Sequence, residues 1–159
     1  MGFFDGYNIA TSGMSAQRTR INVVSSNIAN ANTTHAENGG PYKKQNVVFQ
    51  EVLLDKQKAQ DSKNQSSNIQ SSNQNISTSS VLPVGVGIKE VIESQKEAIL
   101  RYEPEHPDAN KDGYVAYPNI NPVIEMTDLI DAMRSYEANL SAFQTQKTMD
   151  TKALDILKA

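Results

Sequence analysis

Mostly apolar residues recur at alternating steps of four and three near both ends of the chain. Near the N-terminus the repeat runs through Ala10, Met14, Gln17, Ile21, Val24, Ile28 and Ala31. Near the C-terminus it runs through Met126, Leu129, Met133, Tyr136, Leu140 and Phe143, and it resumes at Leu154 and Leu157. This spacing places one stripe along a helix, and such a stripe needs a partner helix along its length. The pattern predicts two terminal helices that pair with each other, with further copies of the chain, or with both.

The first helix is predicted from about Asn8 to Ala31. Asn and Thr side chains at its end compete for backbone hydrogen bonds, and the Gly39-Gly40-Pro41 triplet is a firm break. The helix surface has few charges and many small polar side chains, which favours burial among other helices. Gly13 costs about 1 kcal/mol relative to alanine inside a helix, which favours the close approach of another backbone there, with a frayed or kinked turn as the alternative.

The second helix is predicted from Val123 to Ala159. Asn121 is a favourable N-cap residue, and Pro122 suits the first helical position. No glycine or proline follows Pro122, so the helix would extend about 55 Å at 1.5 Å per residue.

The segment between the helices is predicted to be rich in short strands. Runs of β-branched and aromatic residues predict one strand over Lys43–Leu54 and two more over Val84–Ile92 and Ile99–Tyr102, joined around residues 93–96. We expect the three strands to form one small twisted sheet. Residues 103–118 contain three prolines and a glycine and are predicted to form a loop.

Together these elements predict an α+β fold with a discontinuous helical domain. Residues 1–35 and 119–159 would form this domain, with the two helices packing as a coiled coil. Residues 36–118 would form a small, irregular, β-rich middle segment. Within it, residues 60–80 are a Ser/Asn/Gln-rich tract with too few apolar side chains to build a core, so we expect a surface loop.

Composition excludes several classes of function. The net charge is -3 and no cluster of Lys and Arg is present, which argues against nucleic-acid binding. No run of 18 apolar residues exists, and the N-terminus lacks the pattern of a cleaved signal peptide. There is no cysteine, and the two histidines fall in no metal-ligand pattern. No nucleophile elbow or glycine-rich phosphate loop is present, so we predict no enzymatic activity, cofactor or metal.

One motif leaves an alternative open. The run Asp108-Ala109-Asn110-Lys111-Asp112-Gly113 fits the opening of a calcium-binding loop. Position twelve of such a loop is a bidentate Glu, but here it is Asn119, and the same residue types also favour turns. We predict a structural turn, with a cation-binding module over Asp108–Asn119 as the alternative function. An unrelated coiled-coil dimer is the other alternative.

Several motifs resemble those of bacterial flagellar rod and hook proteins. The N-terminal signature of this axial protein family is similar to Ser26–Thr33 and continues in Gly40–Lys44. The loop typical of the proximal-rod member resembles His106–Val115 and Pro118–Asn121, and the C-terminal signature resembles Glu125-Met126 and Arg134–Asn139. Eight residues separate Thr33 from Tyr42, a spacing that looks like the proximal-rod subtype rather than the hook.

The resemblance implies a structural subunit of the proximal rod in the flagellar basal body, which crosses the periplasm. It implies an axial domain of the D0 type, in which the terminal helices form a torque-transmitting tube and the middle segment braces neighbours. The partners implied are other copies of the chain, the axial proteins FlgB, FlgF, FlgG and FliE, and the flagellar type III export apparatus. Export would leave no cleaved signal, and the chain would neither insert into the membrane nor bind nucleic acid.

The subunit interface is predicted to use the two helical stripes and two asparagines between them. Asn27 and Asn30 would be satisfied between subunits, with local helix capping as the alternative. The predicted interface residues are Met14, Ile21, Val24, Asn27, Ile28, Asn30, Met126, Leu129, Met133, Tyr136, Leu140, Phe143, Leu154 and Leu157.

Overall fold

The computed structural model describes residues 5–36, 39–53 and 84–158. These residues form an α+β fold, as predicted, with a long helix at each end and short antiparallel strands between them. In chain order the elements are α1 (Asp5–Ala29), β1 (Gln45–Leu53), β2 (Val84–Glu93), β3 (Ile99–Tyr102), β4 (Tyr114–Tyr117) and α2 (Pro122–Lys158). The Ser/Asn/Gln tract at residues 60–80, predicted as a surface loop, lies outside the described residues.

The two helices pack against each other in antiparallel orientation. At one end, Tyr7 donates a hydrogen bond to Asp150, and its ring makes an edge contact with Phe143 at 5.0 Å between centroids. Toward the other end, Arg20 pairs with Asp128. α1 also packs against β1 and β2, so α1 is the central element of the fold. None of the described helices is apolar enough over a sufficient length to span a bilayer.

The start of α2 is set by its N-cap, which confirms the prediction. The Oδ1 atom of Asn121 accepts a hydrogen bond from the backbone N–H of Val123 at 3.0 Å, and Pro122 occupies the first helical position. The capping oxygen satisfies a donor that a helix start otherwise leaves without a partner.

The strands form two separate hairpins rather than the single sheet that was predicted. β1 pairs with β2, with a register irregularity between Val48 and Phe49, and β3 pairs with β4. β4 lies inside the predicted 103–118 loop. The chain reverses over residues 103–113, where Gly113 adopts a φ of 79°, and Tyr114 returns opposite Tyr102.

The buried apolar residues of the described chain are small. They are Ala10, Ala16, Val24, Ala31, Val115 and Ala132. Gly13 belongs to the same close packing, because a Cβ atom there would lie 2.9 Å from the Nδ2 atom of Asn139. The predicted close approach to Gly13 is therefore made by a side chain of α2, not by a backbone.

Candidate assembly interface

The face of α2 that packs against α1 coincides with only half of the predicted stripe. The covered positions follow steps of four and three through Glu125, Leu129, Ala132, Tyr136, Asn139 and Phe143. Three of these were predicted to be interface residues, and the structure places Leu129, Tyr136 and Phe143, half-buried, on the face toward α1. Because one residue corresponds to 100° of rotation, the other half of the predicted stripe points elsewhere.

That other half lies on the solvent side of α2. Met126, Met133 and Leu140 are 51%, 41% and 36% exposed, and Ile130, which the sequence analysis missed, is 45% exposed. We define the outer stripe of α2 as Met126, Ile130, Met133, Glu137, Leu140 and Gln144, all exposed. Its i, i+4 spacing from Met126 could have identified Ile130. A row of large apolar side chains on one helix face is typical of a surface that another protein covers.

The predicted interface residues of α1 are buried or half-buried in the isolated chain. Val24 is buried, and Met14, Ile21 and Ile28 are half-buried, because α1 is covered by α2 and by β1 and β2. From Thr11 onward, the positions of α1 that remain exposed follow the same helical spacing and are small or polar, including one arginine. We define the outer stripe of α1 as Thr11, Ser15, Arg18, Asn22, Ser25 and Ala29.

At the C-terminal end of α2, the described side chains after Asp150 are not covered by any other part of the chain. Residues 151–156 are all exposed, including Leu154, and they extend past the described start of α1. Leu157 lies in the helix, and its side chain is outside the described set.

A buried polar cluster joins α1, β1 and α2. Asn27 is fully buried, and its Nδ2 atom donates to the backbone oxygen of Gln45 at 2.8 Å and to Oε2 of Glu125 at 3.0 Å. Its Oδ1 atom accepts from the backbone N–H of Gln45 at 2.9 Å and from the hydroxyl of Tyr42 at 3.1 Å. These four bonds use the whole hydrogen-bonding capacity of the amide.

The charged partner in this cluster is Lys44. Its Nζ atom lies 2.5 Å from Oε1 of Glu125, a carboxylate that is only 1% exposed. A buried carboxylate is costly to desolvate unless it is paired and hydrogen-bonded, and Glu125 has both kinds of partner. The cluster therefore fixes the start of α2 relative to the end of α1. This cluster was not predicted, although Asn27, Lys44 and Glu125 all lie in the motifs that carry the resemblance.

Both asparagines that were predicted to face other subunits have partners within the chain. The Nδ2 atom of Asn30 donates to the backbone oxygen of Ser26 at 2.9 Å, and Thr33 donates to its Oδ1 atom at 3.2 Å. This is the local capping alternative, since the bonds close the last turn of α1. Asn27 is bonded inside the chain as described above.

The run from Asp108 to Gly113 forms a turn. The Oδ1 atom of Asn110 accepts hydrogen bonds from the backbone N–H groups of Asp112 at 3.0 Å and Tyr114 at 2.9 Å. Asp108 accepts a hydrogen bond from Thr34 at 2.6 Å. Within residues 5–36, 39–53 and 84–158, no three His, Cys, Asp or Glu side chains are grouped so that they could hold a metal ion.

The pKa of the Tyr7 phenol is shifted at the end of the helix pair where α1 begins. The hydroxyl of Tyr7 donates to Oδ2 of Asp150 at 2.6 Å. This hydrogen bond raises the pKa of Tyr7 above its ordinary value of 10.0, and desolvation and the negative charge of Asp150 add to the effect. The protonated phenol is therefore the form that ties the start of α1 to α2.

Known proteins similar to this chain are flagellar. A family described as "Flagella basal body rod protein" matches residues 8–36, and one described as "Flagellar basal body rod FlgEFG protein C-terminal" matches residues 111–156. The chain is 40% identical to the flagellar basal-body rod protein FlgC of Bacillus subtilis, over 99% of this chain and 100% of that protein. It is 37% identical to the FlgC protein of Borreliella burgdorferi, over 99% of each. The FlgC protein of Salmonella typhimurium is 35% identical, over 98% of each chain.

Proposed function

The chain belongs to the FlgC family of flagellar basal-body rod proteins, and from this premise we propose that it builds the proximal rod by self-assembly through its terminal helices. Membership makes it a structural subunit of the basal-body rod, in a family that is not an enzyme family. The observation that carries the assembly proposal is the exposed outer stripe of α2, because four large apolar side chains in a row are unfavourable in water.

The proposed assembling unit is a helical domain of residues 1–35 and 119–159. Its helices would pack as a coiled coil, in keeping with the covered positions of α2 at steps of four and three. Subunits packed side by side would place these helix pairs in the wall of a tube. The middle segment, residues 36–118, would lie outside the tube and brace neighbouring subunits.

Torque transmission requires that a subunit resist relative movement of its parts. The Asn27–Glu125–Lys44 cluster supports this role, since it ties both helices and the start of β1 together in a fully satisfied network. Such a network permits one arrangement of its members, because any displacement leaves a buried polar group without a partner. A load applied to the middle segment would then pass directly into the helix pair.

The partners follow from the place of the subunit in an axial structure. We propose contacts with other copies of the chain and with the axial proteins FlgB, FlgF, FlgG and FliE. Delivery would use the flagellar type III export apparatus without a cleaved signal, and the assembled rod would cross the periplasm. Among the predicted interface residues, Met126, Met133, Leu140 and Leu154 are exposed and available for such contacts.

Deletion of the gene in the bacterium that encodes the chain tests the proposed function. We expect cells that do not swim, and basal bodies that lack a complete rod when imaged by electron cryotomography. Complementation with the unaltered gene should restore both. A matched control is complementation with Glu105→Ala, a change in an exposed loop side chain, which should restore them equally well. Full-length flagella in the deletion strain would contradict the proposal.

A further inference from the structure

The outer stripes of α1 and α2 each carry one charge of opposite sign. Arg18 is the only charged residue in the outer stripe of α1, and Glu137 is the only one in the outer stripe of α2. Both are exposed, and neither has an ion-pair partner within the described part of the chain. Two lone charges on otherwise uncharged rows are well placed to fix the register of a contact between the rows.

The two stripes also match in spacing. Each contains six positions at steps of four, three, four, three and four, a pattern that reads the same in both directions. When the stripes are laid antiparallel with Arg18 opposite Glu137, each position of one therefore meets a position of the other. Ile130 then lies opposite Ser25, and Met133 lies opposite Asn22. Large side chains of α2 meet small side chains of α1, as close packing between helices requires.

Neighbouring registers are less favourable. Displacement by seven residues keeps the helical spacing but places Arg18 opposite Ile130 in one direction and opposite Gln144 in the other. In both cases the guanidinium of Arg18 and the carboxylate of Glu137 would each lie in the contact without an oppositely charged partner. A charge taken out of water without a partner is strongly destabilising, so the pairing with Glu137 selects one register.

The selected register also implies a displacement along the helix axis. Within the chain, Gly13 lies against Asn139 and Gly6 lies against Gln146, so the level of Glu137 corresponds to residue 15 of the chain's own α1. A neighbouring α1 with Arg18 at that level is displaced by three residues, or about 4.5 Å. The displacement is toward the C-terminal end of α2, where residues 151–156 are exposed and extend beyond the described start of α1.

We propose that copies of the chain pack side by side through a contact between two different surfaces. The outer stripe of α1 in one copy packs on the outer stripe of α2 in the next, and an Arg18–Glu137 ion pair sets the register. This inference rests on the proposed function and specifies its main self-contact. The two surfaces are different, so a subunit that has bound a neighbour through one stripe still offers its other stripe to the next subunit. Contacts of this heterologous type generate rings or helical assemblies rather than closed dimers.

Charge reversal tests the ion pair in cells that produce only the altered chain. Arg18→Glu and Glu137→Arg should each reduce the number of cells with complete flagella by about tenfold or more, because like charges would then face each other across the contact. The double variant Arg18→Glu with Glu137→Arg should restore assembly to a large fraction of the unaltered level. Glu105→Arg, a reversal in an exposed loop, should leave assembly unchanged and serves as the matched control.

Two results would overturn the inference while leaving the proposed function intact. One is normal flagella with both single reversals in a species where gene deletion abolishes flagella. The other is a double variant as defective as the single variants, although circular dichroism shows that the free chain is folded. If the deletion strain itself builds flagella, the proposed function fails first.

Cysteine cross-linking tests the register directly, because the chain contains no cysteine. Two differently tagged copies, one with Ser25→Cys and one with Ile130→Cys, should form a disulfide-linked pair in oxidised basal bodies. The matched control replaces Ile130→Cys with Val123→Cys, which is displaced by one heptad and should give little product. Preferential linkage of Ser25→Cys to Val123→Cys, or to a different rod protein identified by mass spectrometry, would contradict the proposed contact.

Discussion

The two terminal helices differ in how much of their surface the chain itself covers. α1 packs against both α2 and the paired strands β1 and β2, and its exposed positions are small or polar apart from Ile9. α2 is covered along one face only, and an adjacent face, turned by about 100°, exposes a row of large apolar side chains. A helix whose apolar side chains are covered within the subunit and a helix that leaves a row of them exposed have different roles. α1 holds the subunit together, whereas α2 carries most of the apolar surface that is left for other subunits.

The largest expected effect comes from the buried polar cluster, which joins the two helices. Glu125→Ala removes the carboxylate and leaves the amide of Asn27 and the ammonium of Lys44 without their partner. We expect a loss of about 3–5 kcal/mol in the free energy of unfolding, measured by urea denaturation of the free chain. Lys43→Ala, which breaks an exposed pair with Glu93 at 3.9 Å, should cost less than about 1 kcal/mol. Equal losses in the two variants would contradict the importance assigned to the cluster.

The next effect contrasts an apolar residue of α1 with one of α2. Val24→Ala, in the core, should lower the free energy of unfolding by about 1.5–3 kcal/mol, because a buried side chain is truncated. Met126→Ala, on the outer stripe, should change it by no more than about 0.5 kcal/mol, yet should reduce incorporation into basal bodies. Immunoblots of purified basal bodies measure the second quantity. If Met126→Ala destabilises the free chain as much as Val24→Ala, the two helices do not differ as described.

These contrasts also mark the limit of what the sequence could predict. The start of α2 followed from a local signal, the Asn121 cap, whereas α1 begins at Asp5 rather than at the predicted Asn8. The predicted stripe of α1 coincides with covered positions. The stripe of α2 combined two faces, because its contact with α1 uses Glu125, Ala132 and Asn139, which an apolar pattern does not select. Their burial depends on partners far along the chain, such as Asn27 for Glu125 and Gly13 for Asn139.

The strands show the same limit. The pairing of β1 with β2 joins segments separated by 30 residues outside the described set, and no local pattern specifies that choice. β4 was not predicted because it follows a turn that contains proline and glycine, and these residues indicate a loop. Strand partners are selected by tertiary packing, whereas helix ends are selected by neighbouring residues.

A smaller effect is expected at the closest approach of the two helices. Gly13→Ala gains about 1 kcal/mol of helix propensity, but its Cβ atom would meet the amide of Asn139. The two terms should nearly cancel in the unaltered background. In an Asn139→Ala background the clash is absent, and Gly13→Ala should stabilise the chain by about 1 kcal/mol. A double-mutant cycle by urea denaturation measures this coupling, and additive effects would contradict the contact.

The smallest effect is a pH dependence at the far end of the helix pair. The pKa of Tyr7 is raised in the folded chain by its hydrogen bond to Asp150, so the folded state favours the protonated phenol. The stabilisation is fully present below the ordinary pKa of 10.0 and is lost as the pH rises through the raised value. Tyr7→Phe should therefore remove part of the loss of stability seen above pH 10 in thermal unfolding. An unchanged alkaline profile would show that the bond does not form in solution.

Methionine oxidation compares the two helices most directly, because Met14 lies on α1 and Met126 and Met133 lie on the outer stripe of α2. Peroxide would be applied to the free chain and to purified basal bodies, and oxidation at each methionine quantified by mass spectrometry. We expect Met126 and Met133 to oxidise readily in the free chain and to become protected in the rod, while Met14 reacts slowly in both. Equal oxidation of Met126 and Met133 before and after assembly would contradict the claim that the outer stripe of α2 is the assembly surface.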